Sequence, residues 1–219
     1  MQATSKERIL KKVRKALIQQ SPEKYSGLNF KKNVYSTSAY TDKGLDIIFA
    51  EELTNISGKF IFCENGAQAV DTLTSMRTEN GWNNIFCFQQ ELKDILKKED
   101  FDFKDDIKAI DTMDVGITSC EYLIARTGSV MISSAQSTGR RMSVYPPTHV
   151  VFAYTSQLVM YLKDALDGMS ARYTKGLPSM ITTISGPSRT ADIEKTLILG
   201  AHGPKELYVF MIDDNLKSQ

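Results

Sequence analysis

Short apolar runs alternate with stretches of helical periodicity along most of the chain. β-branched and aromatic residues stand together in the runs, whereas the stretches between them repeat apolar residues at helical spacing. Buried strands separated by helices are typical of a mostly parallel sheet with both faces covered. The predicted strands are Lys59–Cys63, Asn84–Phe88, Ile107–Ile110, Ser129–Ser133, His149–Tyr154, Met180–Ile184 and Leu207–Ile212. We therefore expect an α/β fold, with a mostly parallel sheet and helices on both of its faces.

Helices are predicted between and beside these strands. Gly81 and Gly200 mark two of their ends, because glycine is favoured where a helix stops. The last helix and the strands on either side of it predict a β-α-β unit with a right-handed crossover. The predicted helices are Leu45–Leu53, Ala67–Thr78, Glu91–Lys98, Ser156–Asp167 and Thr190–Leu199.

The first part of the chain has a different pattern. Ser5–Gln20 repeats apolar residues on one face and fills the rest with lysine and arginine, which predicts an amphipathic helix. Glu23–Ala39 looks irregular, with aromatic residues that follow no period. We predict an N-terminal helix and extended arm over residues 1–42 and an α/β domain over residues 43–219. The arm is expected to dock on its own core or on a partner.

Charge narrows the class of partner. Lys and Arg number 27 against 26 Asp and Glu, which gives a formal net charge of +1. That balance argues against a nucleic-acid or membrane-surface binder, which usually has a basic excess. The polar N-terminus lacks the apolar segment of a signal peptide, and the longest apolar runs are too short to span a bilayer. We therefore expect a cytoplasmic protein without a membrane span and without nucleic acid.

The three cysteines, Cys63, Cys87 and Cys120, lie far apart in the sequence. No close pair provides the local spacing of an iron–sulfur cluster or a zinc site. Two of them stand in apolar, strand-like runs, so buried and reduced thiols are the simplest interpretation.

The strongest candidate site is the loop after the predicted strand Met180–Ile184. An open α/β sheet binds ligands where strands end and helices begin. Gly186 allows close approach of the backbone, the first N–H groups of a helix attract anions, and Arg189 adds a fork for carboxylate or phosphate. The alternative is a capped helix in which Arg189 pairs with a nearby acid. The predicted anion-binding residues of this loop are Ser185, Gly186, Ser188, Arg189 and Thr190.

Two arginines and two histidines are further candidates. Arg140 and Arg141 stand in a loop of small residues, which suits an anionic ligand but also a solvated loop tip. His149 opens a predicted strand, either as a buried residue that satisfies a backbone carbonyl or as a site residue at the sheet edge. His202 lies in a turn beside glycines, either as a turn residue or as a general acid–base. Two histidines are too few for a multi-histidine metal site, so no metal is predicted.

Glu121 is the remaining candidate, because it precedes the tight turn Arg126–Ser129. A carboxylate in such a place is a catalytic base, a nucleophile or, more simply, an ion-pair partner. Glu121 and His202 are therefore the candidate catalytic residues.

Several phrases of the sequence, taken in order, resemble the LUD domain family of lactate-utilisation proteins, in its LutC/YkgG type. The resemblance runs from about Asp114 to Ile212, and the last two phrases are the most specific. The phrases are Gly116–Thr118, Ala125–Ser129, Gly139–Arg141, Pro147–His149, Ser185–Glu194 and Gly200–Pro204.

The resemblance implies a NagB/RpiA/CoA transferase-like fold, shared with ribose-phosphate isomerase and glucosamine-phosphate deaminase. It also implies a role in the oxidation of L-lactate to pyruvate, together with iron–sulfur partner subunits. Because this chain lacks cluster motifs, it is similar to the small, cluster-free subunit. No cofactor is predicted in this chain, and the iron–sulfur clusters are expected in the partners.

One position departs from the family pattern. Many members have Glu where this chain has Arg126, and related CoA transferases use a glutamate in a comparable turn as nucleophile. Arg126 cannot act so, which disfavours covalent CoA transfer. It favours anion binding by Arg126, Arg140 and Arg189 instead.

Three functions remain open on these grounds. The first is a component of a lactate-oxidising assembly that binds a small anionic ligand near Ser185–Thr190. The second is a stand-alone enzyme on a sugar phosphate or an acyl-CoA, with acid–base catalysis by Glu121 or His202. The third is a non-catalytic scaffold whose N-terminal helix docks partners. The sequence leaves open whether the chain is catalytic alone and whether it forms an oligomer.

Overall fold

The computed structural model describes most of the chain in two compact units, residues 1–41 and 42–219. Each unit is described by itself. The described residues are 4–18, 42–136, 141–191, 197–200 and 202–214.

In the first unit, α1 spans Ser5–Ile18. Thr4 caps its start: the Thr4 backbone N–H donates to the Glu7 carboxylate at 2.8 Å, and the Glu7 N–H donates to the Thr4 hydroxyl at 3.4 Å. The amphipathic helix predicted from Ser5 is thereby confirmed over these residues. The arm predicted at Glu23–Ala39 lies outside the described residues, and the docking role stays a prediction.

The second unit mixes helices with strands. Its helices are α2 Leu45–Asn55, α3 Gly66–Asn80, α4 Gln90–Lys98 and α5 Leu162–Arg172. Its strands are β1 Lys59–Cys63, β2 Ile85–Cys87, β3 Val115–Ser119, β4 Tyr122–Ile124, β5 Ser129–Ser133, β6 Thr148–Tyr154, β7 Leu158–Val159, β8 Ile181–Ile184, β9 Arg189–Ala191, β10 Leu197–Leu199 and β11 Glu206–Ile212. Short 3-10 helices cover Ile107–Thr112, Ala125–Thr127 and Thr155–Gln157.

The main sheet has five strands, all parallel, in the order β1-β11-β6-β3-β2. On one face, alternate strand residues such as Phe152 and Phe210 join the apolar side chains of α3 and α4 in one buried cluster. On the other face, Phe49 of α2 packs edge-on against Phe60 of β1, with ring centroids 6.1 Å apart. The predicted α/β fold, with a mostly parallel sheet and helices on both faces, is confirmed.

A second sheet, which the sequence pattern does not predict, has the order β7-β4-β5-β8. Its β4–β5 hairpin turns through Ala125–Thr127 and Gly128, whose φ is +57°. A Cβ at Gly128 would lie 2.2 Å from the backbone nitrogen of Leu53, so only glycine fits where this turn meets α2.

The predicted β-α-β unit at the end of the chain is wrong. β8 pairs antiparallel with β5 in the second sheet, whereas β11 lies between β1 and β6 in the main sheet. Two apolar runs near each other in sequence thus enter different sheets, because strand pairing depends on distant partners rather than on the runs themselves.

The helix predicted at Thr190–Leu199 is also wrong. β9 and β10 form an antiparallel pair there, with Thr190 opposite Ile198. The Gly200 N–H donates to the Ser188 carbonyl at 3.0 Å, and the Arg189 side chain is anchored outside the hairpin. These tertiary bonds override a helix propensity that is only a weak prior. Asp192 to Thr196 lie outside the described residues.

The strand predicted at Ile107–Ile110 is a 3-10 helix, Ile107–Thr112. The edge of β2 already has a neighbour, since the Lys104 N–H donates to the Ile85 carbonyl at 2.8 Å and the Lys104 carbonyl accepts from Cys87 at 3.0 Å. Asp106 then caps the 3-10 turn by accepting from the Lys108 N–H.

The helix predicted at Ser156–Asp167 begins later than expected. Asp214 accepts from the Ser156 N–H at 3.0 Å and holds the segment in a 3-10 turn, after which β7 pairs with β4. The Tyr161 N–H donates to Asp164 at 3.0 Å and starts α5 at Leu162. Within the described ranges, no helix is long and apolar enough to cross a membrane.

Candidate functional site

A polar cleft of about 440 Å³ opens where β3 and β6 end, beside the start of α4. Parallel α/β sheets bind their ligands at the carboxyl ends of the strands, and this volume is typical of ligand pockets. We call it the carboxyl-edge cleft. Its walls include Gln89, Ser119, Glu121, Gln136, Arg172 and Tyr173.

Glu121 is the buried anchor of this cleft, with 3% of its surface exposed. Its carboxylate accepts hydrogen bonds from the Ser133 hydroxyl at 2.6 Å and from the Tyr173 hydroxyl at 2.9 Å. It also accepts from Nη1 of Arg172 at 2.7 Å. A buried carboxyl group requires such partners, and these three donors hold it in place at the base of the cleft.

Arg172 is the last residue of α5, where the helix dipole favours a positive charge. Its guanidinium carbon lies 5.2 Å from the centroid of the Tyr122 ring. Among the described residues only Nη1 donates a hydrogen bond, to Glu121, and 47% of the side chain is exposed. The remaining N–H donors are therefore available to a ligand in the cleft.

Two glutamines tie the end of β3 to its surroundings. Gln89 accepts from the Ser119 N–H at 2.6 Å and donates to the Ser119 hydroxyl at 2.7 Å. Gln136 accepts from the Ser133 N–H at 3.1 Å and donates to the same Ser119 hydroxyl at 2.9 Å. Because a backbone N–H can only donate, each amide oxygen is identified and the amide orientations follow.

Two titratable groups of the cleft, Tyr173 and Cys120, favour their neutral forms. Burial raises the pKa of Tyr173, and the hydrogen bond to the Glu121 carboxylate raises it further. Burial also raises the pKa of Cys120, as does the neighbouring Glu121 charge. A thiol held in its neutral form is a poor nucleophile, so Cys120 acts as a wall of the cleft rather than as a reactive group.

The second candidate region lies at the opposite edge of the main sheet. We call it the amino-edge turns and define it as residues 185–189 and 200–205, with residue 201 outside the described residues. The Ser188 N–H donates to the Pro204 carbonyl at 2.8 Å, which joins the two turns. A cavity of about 390 Å³ lies there against Pro147, and the exposed His202 lines it.

The predicted anion-binding loop forms contacts with the corner after α2. Arg189 donates to the Ile56 carbonyl at 3.2 Å and to the Ser57 hydroxyl. Gly186 has a φ of +80°, and a Cβ there would lie 2.4 Å from the Ile56 oxygen. Ser185 shares a hydrogen bond of 2.8 Å with Ser129. The helix start that was expected to attract an anion is replaced by β9, whereas ligand binding by these residues stays a prediction.

The other predicted anion-binding residues either lie in a different turn or fall outside the described residues. The Arg126 N–H donates to the Met160 carbonyl at 3.1 Å, within the turn that packs on α2. Arg140 and the side chain of Thr190 lie outside the described residues. Glu121 and His202 do not share a site, because Glu121 follows the carboxyl end of β3 and His202 precedes the amino end of β11.

His149 is fully buried, and its Nε2 lies 2.8 Å from the Thr118 hydroxyl. Its Nδ1 has no hydrogen-bond partner among the described residues. Burial lowers the pKa of His149 to about 4, so the ring is neutral near pH 7. It pairs with a hydroxyl rather than with the backbone carbonyl that the sequence suggested.

The cysteines Cys63, Cys87 and Cys120 are free and buried, as predicted. Burial raises the pKa of Cys63 to about 11 and that of Cys87 to about 12. In the described part of the chain, no three His, Cys, Asp or Glu side chains are grouped so that they could hold a metal ion. The expectation about cofactors stays a prediction.

Sequence reasoning missed most of the carboxyl-edge cleft. Arg172 and Tyr173 lie 51 and 52 residues after Glu121 in the chain, and nothing in their local sequence marks them. Gln89 and Gln136 stand in ordinary polar loops. Only the rule that ligands bind where parallel strands end could have indicated them, and it requires the strand order.

Comparison with known proteins places the chain in a family. Residues 48–212 match the LUD domain. The chain belongs to the LUD domain family. Within that family, it is 30% identical to lactate utilization protein C of Halalkalibacterium halodurans, over 67% of this chain and 69% of that protein.

Two other LUD relatives match shorter stretches. Lactate utilization protein C of Bacillus subtilis is 34% identical, over 51% of this chain and 47% of that protein. An uncharacterized protein of Neisseria meningitidis is 38% identical, over 46% of this chain and 42% of that protein. The chain thus aligns with less than half the length of these two relatives.

A solved structure shares the fold. The crystal structure of a DUF162 family protein from Deinococcus radiodurans superimposes with a TM-score of 0.54 and 16% identity. The match covers 81% of this chain and 99% of that one. The α/β architecture is therefore common to both proteins.

Proposed function

We propose that this LUD domain protein is a component of a lactate-utilisation system that oxidises L-lactate to pyruvate. The observation that carries the proposal is the match with relatives named lactate utilization protein C, one of which aligns over two thirds of this chain. Oxidation of L-lactate releases two electrons and two protons. Iron–sulfur partner subunits would accept the electrons.

The carboxyl-edge cleft supports this role better than the amino-edge turns do. It lies where parallel strands end, it contains a buried carboxylate and it keeps guanidinium donors available. At the amino-edge turns, the side chain of Arg189 is engaged with the corner after α2. Binding of an anionic ligand near Ser185–Thr190 is therefore the weaker version of the proposal.

The cleft alone offers no chemistry for hydride or electron transfer among the described residues. Its polar groups are hydroxyls, amides, the Glu121–Arg172 pair and the exposed Glu91 carboxylate, and its thiol is held neutral. This composition suits a chain that binds and positions a substrate or product while partner subunits perform the redox step.

Growth on L-lactate tests the proposal. The gene is deleted in its source organism, and the wild-type chain is returned on a plasmid. We expect the deletion strain to grow on glucose but to lose growth with L-lactate as carbon source, and the wild-type chain to restore it. Normal growth of the deletion strain on L-lactate would refute the proposal.

Point variants then decide between the two edges. Glu121→Gln should abolish complementation on L-lactate, whereas His202→Gln should retain it. Protein abundance and melting temperature are measured for both, so that misfolding is recognised. The reverse outcome, with Glu121→Gln active and His202→Gln inactive, would move the functional site to the amino-edge turns.

A further inference from the structure

The hydrogen bonds already made in the carboxyl-edge cleft decide which of its groups can still donate to a ligand and which can still accept. The Ser119 hydroxyl oxygen accepts from the side-chain amides of both Gln89 and Gln136, at 2.7 and 2.9 Å. Its own O–H donates to no acceptor among the described residues. Two amide donors polarise this hydroxyl, so Ser119 is prepared to donate a hydrogen bond to a ligand in the cleft.

Tyr173, in contrast, can still accept a hydrogen bond from a ligand. Its O–H donates to Glu121 at 2.9 Å, which leaves the phenolic oxygen as an acceptor. Burial and the Glu121 charge raise the pKa of Tyr173, so the phenol keeps its proton and this polarity at neutral pH. A ligand that carries a hydroxyl beside an oxyanion could donate to this oxygen.

Arg172 supplies the positive charge. Its guanidinium is held by Glu121 on one side and lies near the Tyr122 ring, which fixes the direction of its remaining N–H donors. A planar fork of this kind suits the two oxygens of a carboxylate. The start of α4 at Gln90 borders the same cleft, and no side chain caps it. Its free N–H groups favour an anion, whereas the Glu91 carboxylate in the same first turn, which also lines the cleft, opposes one.

We propose that the carboxyl-edge cleft binds a small 2-hydroxy or 2-oxo carboxylate. Arg172 takes the carboxylate, Ser119 donates to the oxygen on the neighbouring carbon, and the Tyr173 oxygen accepts from a hydroxyl there. Glu121 is a positioning residue, because it does not contact the ligand itself but holds Arg172 and Tyr173, which do. This inference names the ligand class and rests on the proposed function in lactate utilisation.

The cleft is larger than such an acid requires. A volume of about 440 Å³ leaves space for bound water or for a second molecule, such as the part of a partner subunit that carries the electrons. The exposed side of Arg172 gives the ligand an open path into the cleft.

Binding is measured with the purified full-length chain by ligand-observed NMR and by calorimetry. The probes are L-lactate, pyruvate, propionate, lactamide and inorganic phosphate. We expect L-lactate and pyruvate to bind more tightly than propionate, which lacks the second oxygen. Lactamide, which lacks the charge, should not bind. No detectable binding of L-lactate or pyruvate, or a preference for phosphate over both, would overturn the inference.

Two variants test the assigned contacts. Arg172→Gln should weaken L-lactate and propionate alike by about ten- to a hundredfold, because a charged hydrogen-bond partner is lost. The control Lys163→Gln, on the same helix, breaks an exposed pair with Asp167 and should leave binding unchanged. Ser119→Ala should reduce the preference for L-lactate over propionate, a ratio that a purely structural defect would not change. An unchanged ratio in Ser119→Ala, or equal affinity in Arg172→Gln and wild type, would contradict the assignment.

The inference and the proposed function can fail separately. If the wild-type chain restores growth on L-lactate but binds none of the acids, the ligand assignment is wrong and the role in lactate utilisation stands. If the acids bind as expected but deletion of the gene leaves growth on L-lactate unchanged, the cleft is a carboxylate site and the proposed function is wrong.

Discussion

The two edges of the main sheet hold their polar groups in different ways. At the carboxyl edge, Glu121 is buried and organises Arg172, Tyr173 and Ser133 around one carboxylate. At the amino edge, the exposed His202 lies in a turn that is joined by backbone hydrogen bonds. Polar side chains that are buried and preorganised, with donors left over, are typical of a site, whereas backbone-linked turns are typical of structure.

The difference also explains why a sequence motif that is specific to the family does not by itself locate the ligand site. The loop 185–189 carries the more specific part of the family resemblance, yet Gly186 and Arg189 contact the corner at Ile56. A residue pattern can persist in a family because a close contact of two backbones requires it. In this chain, Gly186 meets that requirement through its positive φ.

Loss of the buried carboxylate should have the largest effect on the stability of the chain. Glu121→Ala leaves the Ser133 and Tyr173 hydroxyls and the Arg172 guanidinium without their acceptor, so we expect a loss of about 3 kcal/mol in the free energy of unfolding. Urea denaturation measures it. Glu206→Ala is the matched control at the amino edge.

Glu206 pairs with Lys59 at 2.7 Å, with 38% of the Glu206 side chain and 49% of the Lys59 side chain exposed. A surface pair contributes little, so its removal should cost less than about 1 kcal/mol. Equal losses in Glu121→Ala and Glu206→Ala would mean that the buried cluster does not organise the carboxyl edge.

The two histidines should differ in their effect on the pH dependence of stability. Burial lowers the pKa of His149 to about 4 in the folded chain, below the ordinary value of 6.5. The unfolded state therefore binds the proton first, and stability is lost as pH falls from about 6.5 towards 4, by about 1.4 kcal/mol per pH unit. Urea denaturation at pH 7.5 and pH 5.5 measures the slope.

His149→Gln should remove that part of the pH dependence. His202→Gln, which replaces the exposed histidine, should keep it. If both variants retained the wild-type slope, the buried ring would not be the group that titrates in this range.

Arg189→Ala should have the smallest effect. It removes the hydrogen bonds to Ile56 and Ser57, which join the loop 185–189 to the end of α2, and should cost about 1 kcal/mol. Thermal unfolding measures it, with Arg141→Ala as the control at an exposed arginine in the turn before β6. A loss of L-lactate binding in Arg189→Ala, without a change in stability, would instead return the ligand site to this loop.

Much of the architecture could be predicted from the sequence, because periodicity is a local property. The segment from α2 to α4 was expected with nearly correct bounds, and α3 ends at Gly81 as predicted, where the glycine is left-handed. The turn at Gly128 was recognised for the same reason. The candidate site was predicted only in part: Glu121 was named, but its partners were not.

By itself, the sequence determined the α/β class, the buried thiols and the LUD family, since each depends on residue types and their spacing. Tertiary structure alone decided that β8 and β11 enter different sheets and that residues 189–199 begin and end as strands. It also decided that Glu121 meets Arg172 and Tyr173. The reason is physical: strand pairing and side-chain ion pairs join residues that are distant in the chain, and local propensity is too weak to specify such partners.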